Sequence, residues 1–129
     1  MTTTRRFSPS DVQALSALKS LGVRAGATHR CTRVWVVVVE GRVFVRSWND
    51  KPTGWYRALR TEPRGSITLG AKRDTREIAV HARHVRSARL RRAVSDAYAH
   101  KYDMAGARKW VVGFAEPARE ATTLELVPA

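Results

Sequence analysis

Cysteine occurs once in this chain of 129 residues, at Cys31, so no internal disulfide can staple the fold, and a reduced, cytoplasmic setting is the expectation. Acidic residues are also scarce. Eleven Asp and Glu stand against 24 Lys and Arg, a formal +13, which argues against polycationic partners and leaves anionic ones: nucleic acid, a phosphorylated coenzyme or an acidic membrane surface. Long apolar runs are missing. The longest, Val34 to Val39, is far too short to cross a bilayer and suits a buried strand, and Met1 to Arg6 is polar with no apolar stretch behind it, so no signal peptide is read and a soluble protein is expected. Paired carboxylates, a Walker loop and a Rossmann glycine pattern are absent too. His29, His81, His84 and His100 lack metal-ligand spacing. His81 and His84, three apart on a strand, face opposite sides, so no metal site is expected. Cys31 beside His29 has no third orienting group and reads as a small packing residue rather than a nucleophile.

What is present organises into one domain spanning residues 1–129, since a chain of this length at 43% hydrophobic can bury one core but not two. Ser8-Pro9-Ser10-Asp11 carries agreeing helix-start cues: a capping serine, proline at the first helical position and an acid favoured by the dipole, with Phe7 and Val12 as a hydrophobic staple. Val12, Leu15, Leu18 and Leu21 extend it as a helix over Pro9 to Leu21, closed by Gly22. Thr32 to Val39 and Arg42 to Trp48 flank Glu40-Gly41 as a hairpin. The first arm, apolar throughout, reads as a central strand; the second alternates Val43, Val45 and Ser47 against Phe44, Arg46 and Trp48, leaving one face for other work. A short helix over Gly54 to Arg60 must stop before Pro63. Strands over Ser66 to Leu69 and Glu77 to Arg83, joined by the polar loop Gly70 to Thr75, lead to a helix over Ser87 to Lys101; a strand near Trp110 to Phe114 and a last strand over Thr122 to Val127 follow.

This order resembles the split β-barrel of flavin and deazaflavin oxidoreductases, the superfamily of pyridoxamine phosphate oxidase, and implies a mainly β (α+β) fold: a six-stranded antiparallel split barrel with flanking helices. The hairpin Val34 to Trp48, followed by Gly54-Trp55-Tyr56-Arg57-Ala58-Leu59 and Pro63, is similar to deazaflavin-dependent nitroreductases. An uncharacterised branch of domains of unknown function looks more similar still, through Phe44-Val45-Arg46-Ser47, Trp55-Tyr56-Arg57-Ala58, Ala97 to Tyr102 and Ala121 to Pro128. Two departures stand out. The nitroreductases carry a Gly-Arg-Lys-Ser/Thr-Gly coenzyme loop where Arg24 to Arg33 has no such run, and an asparagine where this chain has Ala58.

The chemistry of one corner points the same way. Arg46, Ser47, Asn49 and Lys51 place cations and polar donors just ahead of a helix start near Thr53, a combination suited to phosphate, while Trp48, Trp55 and Tyr56 offer walls for a planar ring. These seven residues form the expected cofactor-binding set, with FMN or a deazaflavin as the coenzyme that the resemblance implies. The protein is then a flavin- or deazaflavin-dependent oxidoreductase or a coenzyme-binding protein, and by resemblance a homodimer. The alternative is a non-catalytic basic module whose Arg83 to Arg92 stretch contacts nucleic acid or another polyanion, for which no nucleic-acid motif speaks.

Overall fold

The computed structural model describes residues 6–70 and 75–129; most of the polar N-terminal stretch and of the Gly70 to Thr75 loop lies outside them. The first helix, α1 (Pro9–Ala17), starts as its sequence predicts: the Ser8 hydroxyl accepts from the Asp11 N–H, and buried Phe7 and half-buried Val12 share one core. It ends earlier than Leu21. Leu18 is already extended, and Leu21 opens the strand β1 (Leu21–Ala25), because Leu21, Val23 and Ala25 alternate into the core with period two. Gly22 does not close the helix. It lies inside β1, where a Cβ would come within 2.6 Å of Cys31 Sγ.

The expected first arm of the hairpin is two strands, β2 (Thr32–Val34) and β3 (Val37–Val39); this split and the added β1, less the strand expected at Trp110 to Phe114, give seven strands among the described residues rather than six. β2 pairs with β1, and β3 pairs with β4 (Arg42–Val45) across the Glu40-Gly41 turn, where both residues have positive φ. The break falls at Trp35 and Val36, where the last residue of helix α3 (Ala88–Lys101) and its C-cap Tyr102 supply partners in place of a neighbouring strand. The Val36 N–H donates to the Tyr102 hydroxyl at 3.1 Å, and the Val36 carbonyl accepts from Lys101 Nζ at 2.6 Å. Helix α2 (Trp55–Thr61) and strands β5 (Arg64–Leu69) and β6 (Arg76–His84) follow. After α3, the expected strand at Trp110 to Phe114 is instead a helix, α4 (Arg108–Phe114); α5 (Pro117–Glu120) and strand β7 (Leu124–Pro128) complete the chain.

The sheet runs β2-β1-β5-β6-β7-β4-β3 with every pair antiparallel. Its two edge strands, β2 and β3, are neither central nor far apart: only Trp35 and Val36 separate them in the chain. Two residues span no more than about 10 Å, so the sheet must curl until its edges meet. This is the split barrel. One core fills the barrel with Leu21, Val23, Val43, Val45, Ile67, Val80, Leu124 and Leu126, capped by Leu15 and by Trp55, Tyr56 and Leu59 of α2. A second core lies outside it, where Val37 and Phe44 meet Leu90, Val94 and Tyr98 of α3 and Phe114 of α4. Strand β4 is therefore covered on both faces, and the side expected to be free carries the outer helices.

Candidate functional site

Strand β4 delivers the chain from its last residue, Val45, straight into Arg46-Ser47-Trp48, and the alternation of the strand sends these side chains to different surroundings. Arg46 continues the Phe44 face and is 1% exposed. Its Nε donates to Thr123 Oγ1, its Nη1 to Ser95 Oγ and the Phe114 carbonyl, and its Nη2 to the Arg91 carbonyl, at 2.6 to 2.8 Å, so four of the five guanidinium donors are taken. No carboxylate is bonded to it. Burial lowers its pKa, with Tyr98 and Glu120 opposing, and the guanidinium sits 5.7 Å from the centre of the Tyr98 ring. Arg46 thus pins α3, α4 and the lead into β7 to the end of β4 and adds a buried positive charge there with no carboxylate bonded to it.

Ser47 and Trp48 shape the turn. The Ser47 hydroxyl accepts from the Asp50 N–H, and Asp50 takes a left-handed φ of 46° while its carboxylate receives two bonds from Arg57. Trp48 has the Arg119 guanidinium stacked on it, 3.6 Å from the ring centre, and meets Trp110 and Phe114 edge-on at 4.8 and 5.2 Å. Gly113 makes this seating feasible, since a Cβ there would lie 2.3 Å from Trp48. Helix α2 begins at Trp55 with Gly54 as its cap, one residue beyond Thr53, and holds Trp55 and Tyr56 largely inside the barrel core. Burial raises the Tyr56 phenol pKa, with Arg60 opposing, so the hydroxyl stays protonated at neutral pH.

All seven predicted residues, Arg46, Ser47, Trp48, Asn49, Lys51, Trp55 and Tyr56, border a single cleft of about 1220 Å³. The opposite wall is Thr28 to Trp35, the end of the β1–β2 loop and strand β2 itself, and Trp110 and Phe114 complete it. Every tryptophan of the chain, Trp35, Trp48, Trp55 and Trp110, is at this cleft. The sequence reading missed Arg30, Trp35, Trp110 and Phe114. The one signal that would have found the tryptophans is their own scarcity, four in a chain with only ten aromatics among Phe, Trp and Tyr.

The cleft's cations are not equivalent. Arg33 is turned away to the carbonyls of Gly70 and Ser20 and to the Ser20 hydroxyl, and Arg46 is enclosed. The side chains of Arg30 and Lys51 make no bond or ion pair to the protein, and both are exposed. The rim's one carboxylate, Asp50, is occupied by Arg57. The aromatic surfaces differ likewise: Trp35 is covered on one face by Tyr102, coplanar within 2° at 3.8 Å, whereas Trp110 stays 40% exposed. The cleft thus combines exposed aromatic surface with two cations that have no protein partner. In the Arg83 to Arg92 stretch, by contrast, Arg89 pairs with Glu40 and Arg91 donates to the Val85 carbonyl, leaving Arg83, Arg86 and Arg92 without side-chain partners.

Solved structures share the fold. A conserved hypothetical protein from Mycobacterium tuberculosis superposes with a TM-score of 0.61 at 14% identity, over 100% of this chain and 84% of that one. An FAD-binding protein from Mesorhizobium loti gives 0.54 at 12% identity, over 97% and 91%. A heme-binding protein from Mycobacterium smegmatis gives 0.55 at 16%, over 95% of this chain and 51% of that one. No curated protein matches the sequence. Across residues 12–126 the sequence matches one family, described as an uncharacterized protein conserved in bacteria, and the chain belongs to that family, DUF2255.

Proposed function

We propose that the cleft binds a phosphorylated flavin or deazaflavin coenzyme, with its phosphate between Lys51 and Arg30 and its ring system against Trp48 and Trp110. The observation that carries this reading is the gathering of all four tryptophans and two unpaired cations around one cleft. Its volume suits such a group. Ligand sites commonly enclose about 300–1,000 Å³, so 1220 Å³ leaves room for a coenzyme of this size. The fold it shares with an FAD-binding protein supports the same direction.

When bound, such a coenzyme supplies hydride chemistry at its ring, and the protein contributes binding, orientation and field. Here Lys51 and Arg30 neutralise the phosphate, and the enclosed charge of Arg46 makes the end of β4 attractive to anions. Arg119 fixes the Trp48 plane, Trp55 anchors α2 to the barrel, and the neutral Tyr56 hydroxyl offers a hydrogen bond at the cleft. A second reading is heme, a flat ring with two anionic propionates. It is favoured by His29 and Cys31 in the cleft wall, both ligand types that iron accepts.

Calorimetric titration with FMN, FAD, a deazaflavin coenzyme and hemin, each followed by visible absorbance, separates these readings. Lys51→Ala should weaken flavin or deazaflavin binding by about 1.5–3 kcal/mol, the range for a charge-assisted hydrogen bond, without moving the melting temperature. Equal binding by parent and variant removes Lys51 from the site; a Soret band with no flavin binding selects heme; no binding at all by the folded parent rejects the coenzyme reading. Homodimer formation is a separate proposal, rejected by a monomer mass in light scattering at about 0.15 M salt, where surface repulsion is screened.

A further inference from the structure

At the far end of β4 from the cleft, a pocket of about 210 Å³ is bordered by Arg6, Arg42, Arg83 and Glu125 with Phe7 and Pro128 beside them. It shares no lining residue with the cleft. Strand register sets its charges in a row. Arg83 of β6 and Phe44 of β4 both lie directly opposite Glu125 of β7, and Arg42 is two residues from Phe44, so all four share the face outside the barrel. Both oxygens of the buried Glu125 carboxylate are taken by Arg42, at 2.9 and 2.8 Å. Arg83 faces the same carboxylate across the strand pair and makes no bond to it. Arg6, held at the pocket by the burial of Phe7, has no partner either. The other nearby carboxylate, Glu40, is engaged by Arg89. Three guanidiniums therefore surround the pocket with one committed carboxylate among them, and two positive charges remain unanswered.

We infer that this pocket is a second anion site, which takes a phosphate-sized dianion, inorganic phosphate or the head of a phosphate monoester, between Arg6 and Arg83. Two free guanidinium forks match a tetrahedral dianion in charge and in paired N–H geometry. The pocket is too small for a whole nucleotide, being below the common range for drug-sized ligands of about 300–1,000 Å³. Glu125 repels an anion from the Arg42 side and so confines it to the Arg6 and Arg83 side. The inference does not depend on what the cleft binds.

Calorimetric titration of the full chain with inorganic phosphate, at low ionic strength in a phosphate-free buffer, tests it. Arg83→Gln and Arg6→Gln should each weaken phosphate binding about tenfold or more, the scale of one charge-assisted hydrogen bond, and Lys51→Ala should leave it unchanged. Both arginines are exposed, and thermal melting checks that the variants remain folded. Glycerol 3-phosphate, titrated in parallel, distinguishes the source: binding with the same dependence on Arg83 supports a monoester head, and binding of phosphate alone supports the free ion. The inference is overturned by no phosphate binding, by binding that survives both arginine substitutions, or by binding lost in Lys51→Ala, which would assign the anion to the cleft.

Discussion

Single side chains at the end of β4 divide into those that hold the cleft and those that face it. Gly113 illustrates the first kind. Alanine in place of a helical glycine ordinarily gains about 1 kcal/mol, but here the added Cβ would meet the Trp48 ring at 2.3 and 2.6 Å. Overpacking of that kind costs about 1–3 kcal/mol, and the clash wins because Trp48 is itself pinned by Arg119. Gly113→Ala should therefore lower the urea midpoint and shift Trp48 fluorescence. A raised midpoint would show that the indole moves aside freely. Trp55 makes the contrast with Lys51: Trp55→Ala removes a core aromatic, for which about 3–5 kcal/mol of stability is usual, whereas Lys51→Ala removes an exposed cation and should leave stability within about 0.5 kcal/mol. Chemical denaturation of the two variants side by side measures both. Equal destabilisation would erase the distinction between scaffold and site.

At the scale of elements, the barrel's seam is held by the end of α3 rather than by strand pairing. The Tyr102 hydroxyl accepts from the Val36 N–H and donates to the Lys19 carbonyl at 2.6 Å, and Lys101 Nζ reaches the Val36 and Leu15 carbonyls. Burial pulls Lys101 down from 10.5 to about 8. The unfolded chain then carries a proton that the folded chain has lost between pH 8 and pH 10.5, so stability contributed by this group rises with pH across that window. Tyr102 acts oppositely and later. Burial lifts it from 10.0 to about 12, so its contribution is full below pH 10 and is lost as pH climbs through 12. The stability difference between parent and Lys101→Met, followed by urea titration, should grow in the parent's favour from pH 8 towards pH 10, and a flat difference would contradict the burial of the ammonium.

This scale also shows where the sequence was legible. The α3 boundaries, the Glu40-Gly41 turn and the β5–β6 pair follow from period and turn chemistry, because their patterns are local. The seven cleft residues were legible as a group because they lie within eleven consecutive positions. Helix α4 was not. Trp110-Val111-Val112 has the β-branched and aromatic character of a strand, yet the Arg46 bond to the Phe114 carbonyl and the fit of Gly113 under Trp48 are tertiary facts that no local pattern contains. The split of the first hairpin arm is hidden for a similar reason. Its partners at Val36 are side chains more than sixty positions away.

For the whole molecule, the +13 charge sets an ionic-strength dependence. With Arg30 and Lys51 free and Arg46 enclosed without a bonded carboxylate, the affinity for the coenzyme proposed for the cleft should fall as salt rises, since the Debye length shrinks from about 10 Å at 0.1 M to about 3 Å at 1 M. The fall should be shallower in Lys51→Ala, which has one charge fewer to screen. Titrations at a series of salt concentrations read the two slopes, and identical slopes would mean that Lys51 contributes no charge interaction to binding. Among the described residues no helix is long and apolar enough to cross a membrane.

The strand order carries one more consequence, for how the barrel comes together. β7 lies between β6 and β4, although it comes after both by dozens of residues. A nascent chain that has emerged only as far as α5 holds two half-sheets, β2-β1-β5-β6 and β4-β3, joined through Trp35 and Val36 and lacking the strand that zips them together. Barrel closure must wait for Leu124–Pro128, and a chain cut after α5 should be open to rescue by that segment added as a separate peptide.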